Sequence, residues 1–383
     1  MELNKVAREQ QIAVFGGSGS GKTVLLSSFY GTSQEPRFIS KSLFNVVADD
    51  SAQGLRLHQN YLGMKRAGAV PPANRFKGES YSFSIKRKKS GASKAKKAGV
   101  AEDLRLIWHD YPGEWFEQEP SGDTEAQRRV ETFKSLLNSD VALVLVDGQQ
   151  LIENDGHEER YLKSLFSNLR NGLIKLRDDV VGDKGRLVTF PRIWVVALSK
   201  ADLLPGVTVT DFRDLVIEKG GEDLVELGKT ISEFAEAPEA MSIGEDFVVL
   251  SSAAFDAGSI DVEKRVGVDL ILPLAAMLPF SRHIRWAARF AKGSKVAERL
   301  TYVAAPLAVT FLGKITLPGP LGLLQRVAGA SALDKLADMS QGKVHSVHEQ
   351  AKSRHDFLTA VLSGFQLDLD AAEDKGVLSR SLK

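Results

Sequence analysis

Short apolar runs recur along the first two thirds of the chain, near residues 11–16, 43–48, 80–86, 104–110, 141–147, 192–199 and 246–252. Two of them, VALVLVD (Val141 to Asp147) and IWVVALS (Ile193 to Ser199), are almost unbroken, which predicts strands covered on both faces. Between them lie amphipathic stretches with helical spacing, near 22–30, 50–67, 124–138, 158–177 and 210–235. Alternating strands and helices of this kind predict an α/β fold with a mainly parallel sheet and helices on both sides. In such folds ligands gather at the carboxyl ends of the strands.

The pattern changes beyond residue 275. Residues 1–275 read as one α/β domain, 276–365 as a helical extension and 366–383 as a flexible tail ending AAEDKGVLSRSLK. Phe280 to Ala305 combines arginines and lysines with apolar positions at helical spacing. Val303 to Leu324 is mostly apolar and has the length of a membrane span, but Pro306, Lys314 and Pro318-Gly319-Pro320 argue against an unbroken transmembrane helix. A helical layer packed on the α/β domain is the preferred reading, and an interfacial membrane element is the alternative. Ala332 to Phe365 continues as amphipathic helix; its His345, His348 and His355 lack a carboxylate-rich neighbourhood and read as surface residues rather than metal ligands. A basic insert at about 86–100, KRKKSGASKAKKAG, is too polar to bury a core. It reads as a solvated hairpin tip, with an anionic membrane surface or an acidic protein as the sharper alternative.

Composition narrows the function only modestly. Of 383 residues, 43% are hydrophobic and 26% charged, the balance of an ordinary globular protein, and the formal net charge of +1 excludes a globally basic nucleic-acid binder. Nucleic acid is therefore an unfavoured partner. No cysteine is present, so neither disulfides nor thiolate metal sites exist, consistent with a cytoplasmic setting. The opening MELNKVAREQQ has no apolar signal-like core.

The chemistry is carried by four motifs, each at the end of a predicted strand. Gly16 to Thr23 read GGSGSGKT, a complete G-x-x-x-x-G-K-[ST] loop between an apolar strand and a helix. Backbone N–H groups from Gly17, Ser18, Gly19, Ser20, Gly21 and Val24 can converge there on phosphate oxygens. Lys22 is suited to the β- and γ-phosphates and the Thr23 hydroxyl to Mg²⁺. Next, LRLIWHDYPG ends a strand in Asp110, with Gly113 at D-x-x-G spacing and Glu114 after it. Asp110 is the preferred second metal group, with Asp147 as the alternative because it too ends a strand. Glu114 is suited either to orienting an attacking water or to pairing with a basic neighbour.

The other two motifs concern a base. Ser199-Lys200-Ala201-Asp202 ends the strand that begins near 192, and a carboxylate at Asp202 matches the two N–H donors on one edge of guanine, whereas adenine offers an acceptor there. Lys200 would lay its stem along the base. Ser252 and Ala253, in DFVVLSSA, supply a turn whose backbone N–H, assigned to Ala253, would meet guanine O6.

In this order the motifs resemble those of P-loop GTPases of the translation-factor-related (TRAFAC) class, over residues 8 to about 275. GKTVLL and Asp110-Tyr-Pro-Gly-Glu-Trp115 are most similar to the bacterial YcjX-like GTPases and the related double-GTPase group. The resemblance implies a Ras-like P-loop NTPase fold, GTP as substrate and GDP as product, Mg²⁺, and hydrolysis used as a conformational switch read by a protein effector. It also implies catalytic roles for Lys22, Asp110, Gly113 and Glu114. Two departures stand out: Ser199 replaces the family's Asn or Thr, and no switch-I threonine can be placed, with Thr32, Asn74 and Ser80 as candidates. An ATPase of the same fold and a weakly hydrolysing scaffold or membrane-associated assembly factor are the alternative functions.

Overall fold

The computed structural model describes residues 9–72, 78–88, 104–116, 118–181, 193–235, 241–256, 259–290 and 344–381. Its frame is an eight-stranded sheet. The strands are β1 (Glu9–Phe15), β2 (Phe44–Ala48), β3 (Glu79–Arg87), β4 (Leu104–Asp110), β5 (Val141–Asp147), β6 (Ile193–Ser199), β7 (Ser242–Val249) and β10 (Leu378–Ser379). Between β7 and β10 in sequence, β8 (Ala254–Asp256) and β9 (Ser259–Asp261) form a separate small hairpin.

The spatial order is β10-β7-β6-β5-β1-β4-β3-β2. The central five strands, β4, β1, β5, β6 and β7, are mutually parallel; β10 and β3 run antiparallel to them, and β2, antiparallel to β3, closes the far edge. β5 and β6 are buried along their whole length, which explains their nearly unbroken apolar sequence.

Helices cover both faces. On one face lie α1 (Lys22–Ser33), α3 (Ser51–Ala67), α8 (Ile271–Phe290) and α9 (Val344–Asp374); a short α2 (Pro36–Lys41) follows α1. Leu25, Leu57, Leu274 and Phe365 from that layer meet Ile12, Val14, Trp108, Leu143 and Val195 of the sheet in one core. On the other face lie α4 (Asp123–Leu137), α6 (Glu158–Val181) and α7 (Val209–Glu233), with α5 (Gly148–Glu153) directly after β5. Phe133, Phe166 and Phe212 pack there on Phe15, Val144, Val196 and Phe247. Successive residues of β1, β5, β6 and β7 thus serve opposite cores, the period-two consequence of the pleat.

The C-terminal region departs from expectation. The anticipated boundary at 275/276 falls inside α8, whose Ile271, Leu274 and Leu278 are fully buried against the sheet. Residues 366–381, expected as a loose tail, instead finish α9, turn at Gly376 and add β10 to the sheet, with Leu378 paired to Val248. The signal was there in Val377 and Leu378: two apolar residues in a polar segment can cover an open strand edge. Arg380 then pairs with Asp370 and Glu373, and the Ser381 N–H donates to Asp246 at 2.9 Å. Asp246 is wholly buried and ion-paired with the buried Arg282 of α8.

Among the described residues no helix is long and apolar enough to cross a membrane. α8 covers the start of the predicted basic helix, and the rest of that helix and the apolar stretch Val303 to Leu324 lie outside the described residues. Most of the basic insert, from Lys89 onward, lies outside them too. His345, His348 and His355 all belong to α9, and no cluster of metal-ligating side chains occurs among the described residues.

Candidate nucleotide site

β1 delivers the chain to a glycine loop, and α1 leaves it at Lys22. Gly19 and Gly21 turn the loop with φ of 79° and 91°, left-handed values that a side chain would strain. Lys22 is 8% exposed and folds back over the loop, donating to the carbonyls of Gly16 at 2.6 Å and Gly17 at 3.0 Å. Those two bonds fix the position of its ammonium group beneath the glycine loop. Thr23 follows, half-buried, in the first turn of α1.

The D-x-x-G segment closes on this loop from the side of β4. The register that sets Ala13 opposite His109 brings Asp110, 2% exposed, to the carboxyl end of the strand next to β1. Gly113 lies so close to the loop that a Cβ there would come within 2.4 Å of both Gly17 C and Ser18 N, so only glycine fits. The Gly16 N–H donates to the buried Tyr111 hydroxyl at 3.0 Å, and the Lys22 ammonium sits 5.3 Å from the centre of the Tyr111 ring. Glu114 has no basic partner among the described residues; its Oε1 accepts from the Ser18 hydroxyl at 2.9 Å, and its Oε2 is buried with no hydrogen bond. Behind the segment, the buried Arg129 of α4 donates to the carbonyls of Trp115 at 2.9 Å and Gln118 at 2.6 Å, pairs with Glu125, and lies 5.6 Å from the Trp115 ring.

The third and fourth motifs come together at the ends of β6 and β7. Lys200 adopts a left-handed conformation (φ 53°) and extends its ammonium to Asp147 at 2.8 Å and Gln149 Oε1 at 3.1 Å. Asp147 also caps α5 by accepting from the Gln149 N–H. Asp147 thereby orients Lys200. Ser199 is buried and donates to the Val146 carbonyl, tying the ends of β5 and β6 together.

Asp202 accepts from the Ser251 hydroxyl at 2.7 Å and from the Phe255 N–H at 3.1 Å. Each carboxylate oxygen can accept a second bond. Ser252 faces the same cleft, whereas Ala253 is fully buried in a small core with Tyr61, Met64 and Val262. Ser252 and Ala253 form the bend that follows the Ser251 bridge to Val266. Of Thr32, Asn74 and Ser80, the candidates for a switch-I residue, Thr32 is buried in α1, Ser80 bonds to the His109 ring at 2.9 Å, and Asn74 lies outside the described residues.

The glycine loop and the strand-end residues of β6 and β7 share one cleft of about 630 Å³. Gly19, Ser20, Gly21 and Val24 line it together with Lys200, Asp202, Ser252 and Phe255, and Leu145, Gln149 and Ile152 contribute apolar and amide surface. Ser251, Phe255 and Gln149 carried no readable signal in the sequence, since each acts through a tertiary contact. Tyr111 did sit inside a recognised motif. A larger groove of about 950 Å³ lies elsewhere, between α2, β2 and α9, and includes none of the motif residues.

A glycine loop between the first parallel strand and its helix, in a three-layer sheet of this order, defines a P-loop GTPase-like fold. No family model and no curated protein matches the chain. Among solved structures, it is similar to the signal recognition particle receptor SRβ-GTP/SRX complex from Chaetomium thermophilum (18% identity, 65% of this chain and 92% of that one, TM-score 0.31). It is also similar to the S. cerevisiae Ski7 GTPase-like domain bound to GDP and inorganic phosphate (11%, 65% and 45%, 0.29) and to the conserved domain of a dynein light intermediate chain (9%, 70% and 73%, 0.23). The chain spans under half of the Ski7 chain.

Proposed function

We propose that the protein binds a guanine nucleotide with Mg²⁺ and hydrolyses GTP slowly, using the D-x-x-G segment as a switch. One observation carries the reading: the glycine loop and the K-x-D residues line a single cleft large enough for a nucleotide. In this reading the loop N–H groups from Gly17 to Val24 and the Lys22 ammonium hold the phosphates, and Gly113 offers its N–H to the terminal one. Asp202 accepts from the guanine edge, Lys200 and Phe255 flank the base, and the bend at Ser252 and Ala253 offers the Ala253 N–H to O6. A hydroxyl and a buried carboxylate, Thr23 and Asp110, are hard oxygen donors of the kind Mg²⁺ takes together with phosphate oxygens. The metal would neutralise phosphate charge; Lys22 and the loop would orient the phosphoryl group. The domain division follows as a proposal too: one nucleotide-binding unit into which α8 and α9 are built.

The test is equilibrium binding of fluorescent GTP, ATP and xanthosine triphosphate to the purified protein. GTP is expected to bind at least about tenfold tighter than ATP, as a buried donor–acceptor mismatch of a kcal/mol or more requires. Asp202→Asn should shift preference toward xanthosine triphosphate. Equal affinity for ATP and GTP would remove the guanine assignment, and binding of no nucleotide would remove the function.

A further inference from the structure

In the nucleotide reading above, Gly113 offers its N–H to the terminal phosphate, which sets the far end of the polyphosphate beside the D-x-x-G segment. Gly113 touches Gly17 and Ser18 there, and the Glu114 carboxylate is bonded to the Ser18 hydroxyl. A negative side chain therefore stands where the third phosphate of a triphosphate must arrive.

We propose that Ser18 and Glu114 form a latch that discriminates nucleoside diphosphate from triphosphate: Glu114 tolerates a diphosphate and is driven off Ser18 by the γ-phosphate. This inference rests on the nucleotide reading above. Two like charges at contact range within a partly dry site repel strongly, whereas a single exposed hydrogen bond holding Glu114 in place is weak. The γ-phosphate has enough repulsion to break the latch, and the cost of doing so lowers triphosphate affinity.

The surroundings convert that local event into a movement of the segment. Tyr111 is tied to the Gly16 N–H in front, and Arg129 holds the Trp115 and Gln118 carbonyls behind. Glu114 lies between these anchors on a single 3₁₀ turn, Gly113–Phe116, that also carries the buried Trp115. Displacing Glu114 rotates that turn and with it the packing of Trp115 on Phe133, 6.4 Å away between ring centres. The latch is thus a specificity device with an internal optical reporter.

Binding of fluorescent GDP and of a non-hydrolysable GTP analogue to the full chain, with Mg²⁺, tests it. The unmodified protein is expected to prefer the diphosphate. Glu114→Gln keeps the acceptor for Ser18 but removes the charge, and should shrink the ratio of triphosphate to diphosphate dissociation constants at least about tenfold, chiefly by tightening the triphosphate. Ser18→Ala, which frees Glu114 to swing away, should shrink it in the same direction by less. Trp115 emission should respond to the triphosphate analogue and not to the diphosphate, with Trp115→Phe as the control that removes the signal. An unchanged ratio in Glu114→Gln overturns the latch while leaving the nucleotide site standing. Loss of binding to both nucleotides by the unmodified protein overturns the site itself.

Discussion

At the scale of single residues, the site is built from side chains whose partners lie far away in sequence. His109 is an example next to the proposed metal carboxylate. It is 8% exposed, bonds Ser80 at Nδ1 and Gln11 at Nε2, and burial pushes its pKa down to about 4 from the usual 6.5. Between those two values the unfolded chain takes up a proton that the folded chain refuses. Stability should therefore fall as pH drops from about 6.5 toward about 4, by on the order of 2–3 kcal/mol from this residue. Urea unfolding at pH 7.5 and pH 5 should show a smaller acid loss in His109→Gln than in the unmodified protein; equal losses would show that His109 titrates normally. None of this was legible beforehand, since a histidine before Asp110 gives no hint of its burial. The positions of Lys22, Asp110 and Asp202 in their motifs were legible because the spacing is fixed, but Ser251 was not, since it reaches Asp202 from the segment that follows β7.

At the scale of elements, the D-x-x-G segment is held by a helix that the motif does not contain. Arg129 of α4 satisfies two carbonyls and one carboxylate from a position only 6% exposed, and spreads over Trp115. Arg129→Ala would leave the buried Trp115 carbonyl without its donor and release Gln118 and Glu125 to solvent, a change worth about 1–3 kcal/mol. Amide hydrogen exchange should then speed up through Gly113–Phe116 while β1 and β5 keep their protection. Unaltered exchange in the turn would mean that Gly113 and Tyr111 alone hold it. The helix itself was predictable from its apolar spacing, and its extent of 123–137 lies close to the expected 124–138. Its arginine reads in sequence as one more surface charge, because helical periodicity assigns a face but not a partner.

At the scale of the whole molecule, the end of the chain completes the sheet. β10 covers the outer edge of β7, the Val249 N–H donates to the Val377 carbonyl, and the Val209 N–H at the start of α7 donates to the Gly376 carbonyl. Ser381 adds a bond to the buried Asp246 that Arg282 already pairs. Deleting residues 376–383 should lower stability by roughly 3–5 kcal/mol through lost apolar burial at Leu378, lost ladder bonds and a less satisfied buried ion pair. The urea midpoint measures it, and a tail with no structural role would leave the midpoint in place. Since β7 leads into Ser251 and Ser252, the same deletion should also weaken guanine binding relative to phosphate contacts.

By itself the sequence determined the layered α/β plan and the strand-end motifs, because unbroken apolar runs, helical spacing and glycine-lysine patterns are local properties of the chain. The tertiary structure alone decided that α8, α9 and β10 belong to the same body as the sheet. It also decided that Ser252 and not Ala253 faces the cleft, and that Ser18 meets Glu114. Each of these depends on which distant surface a segment can bury or bond, and no local pattern specifies that choice.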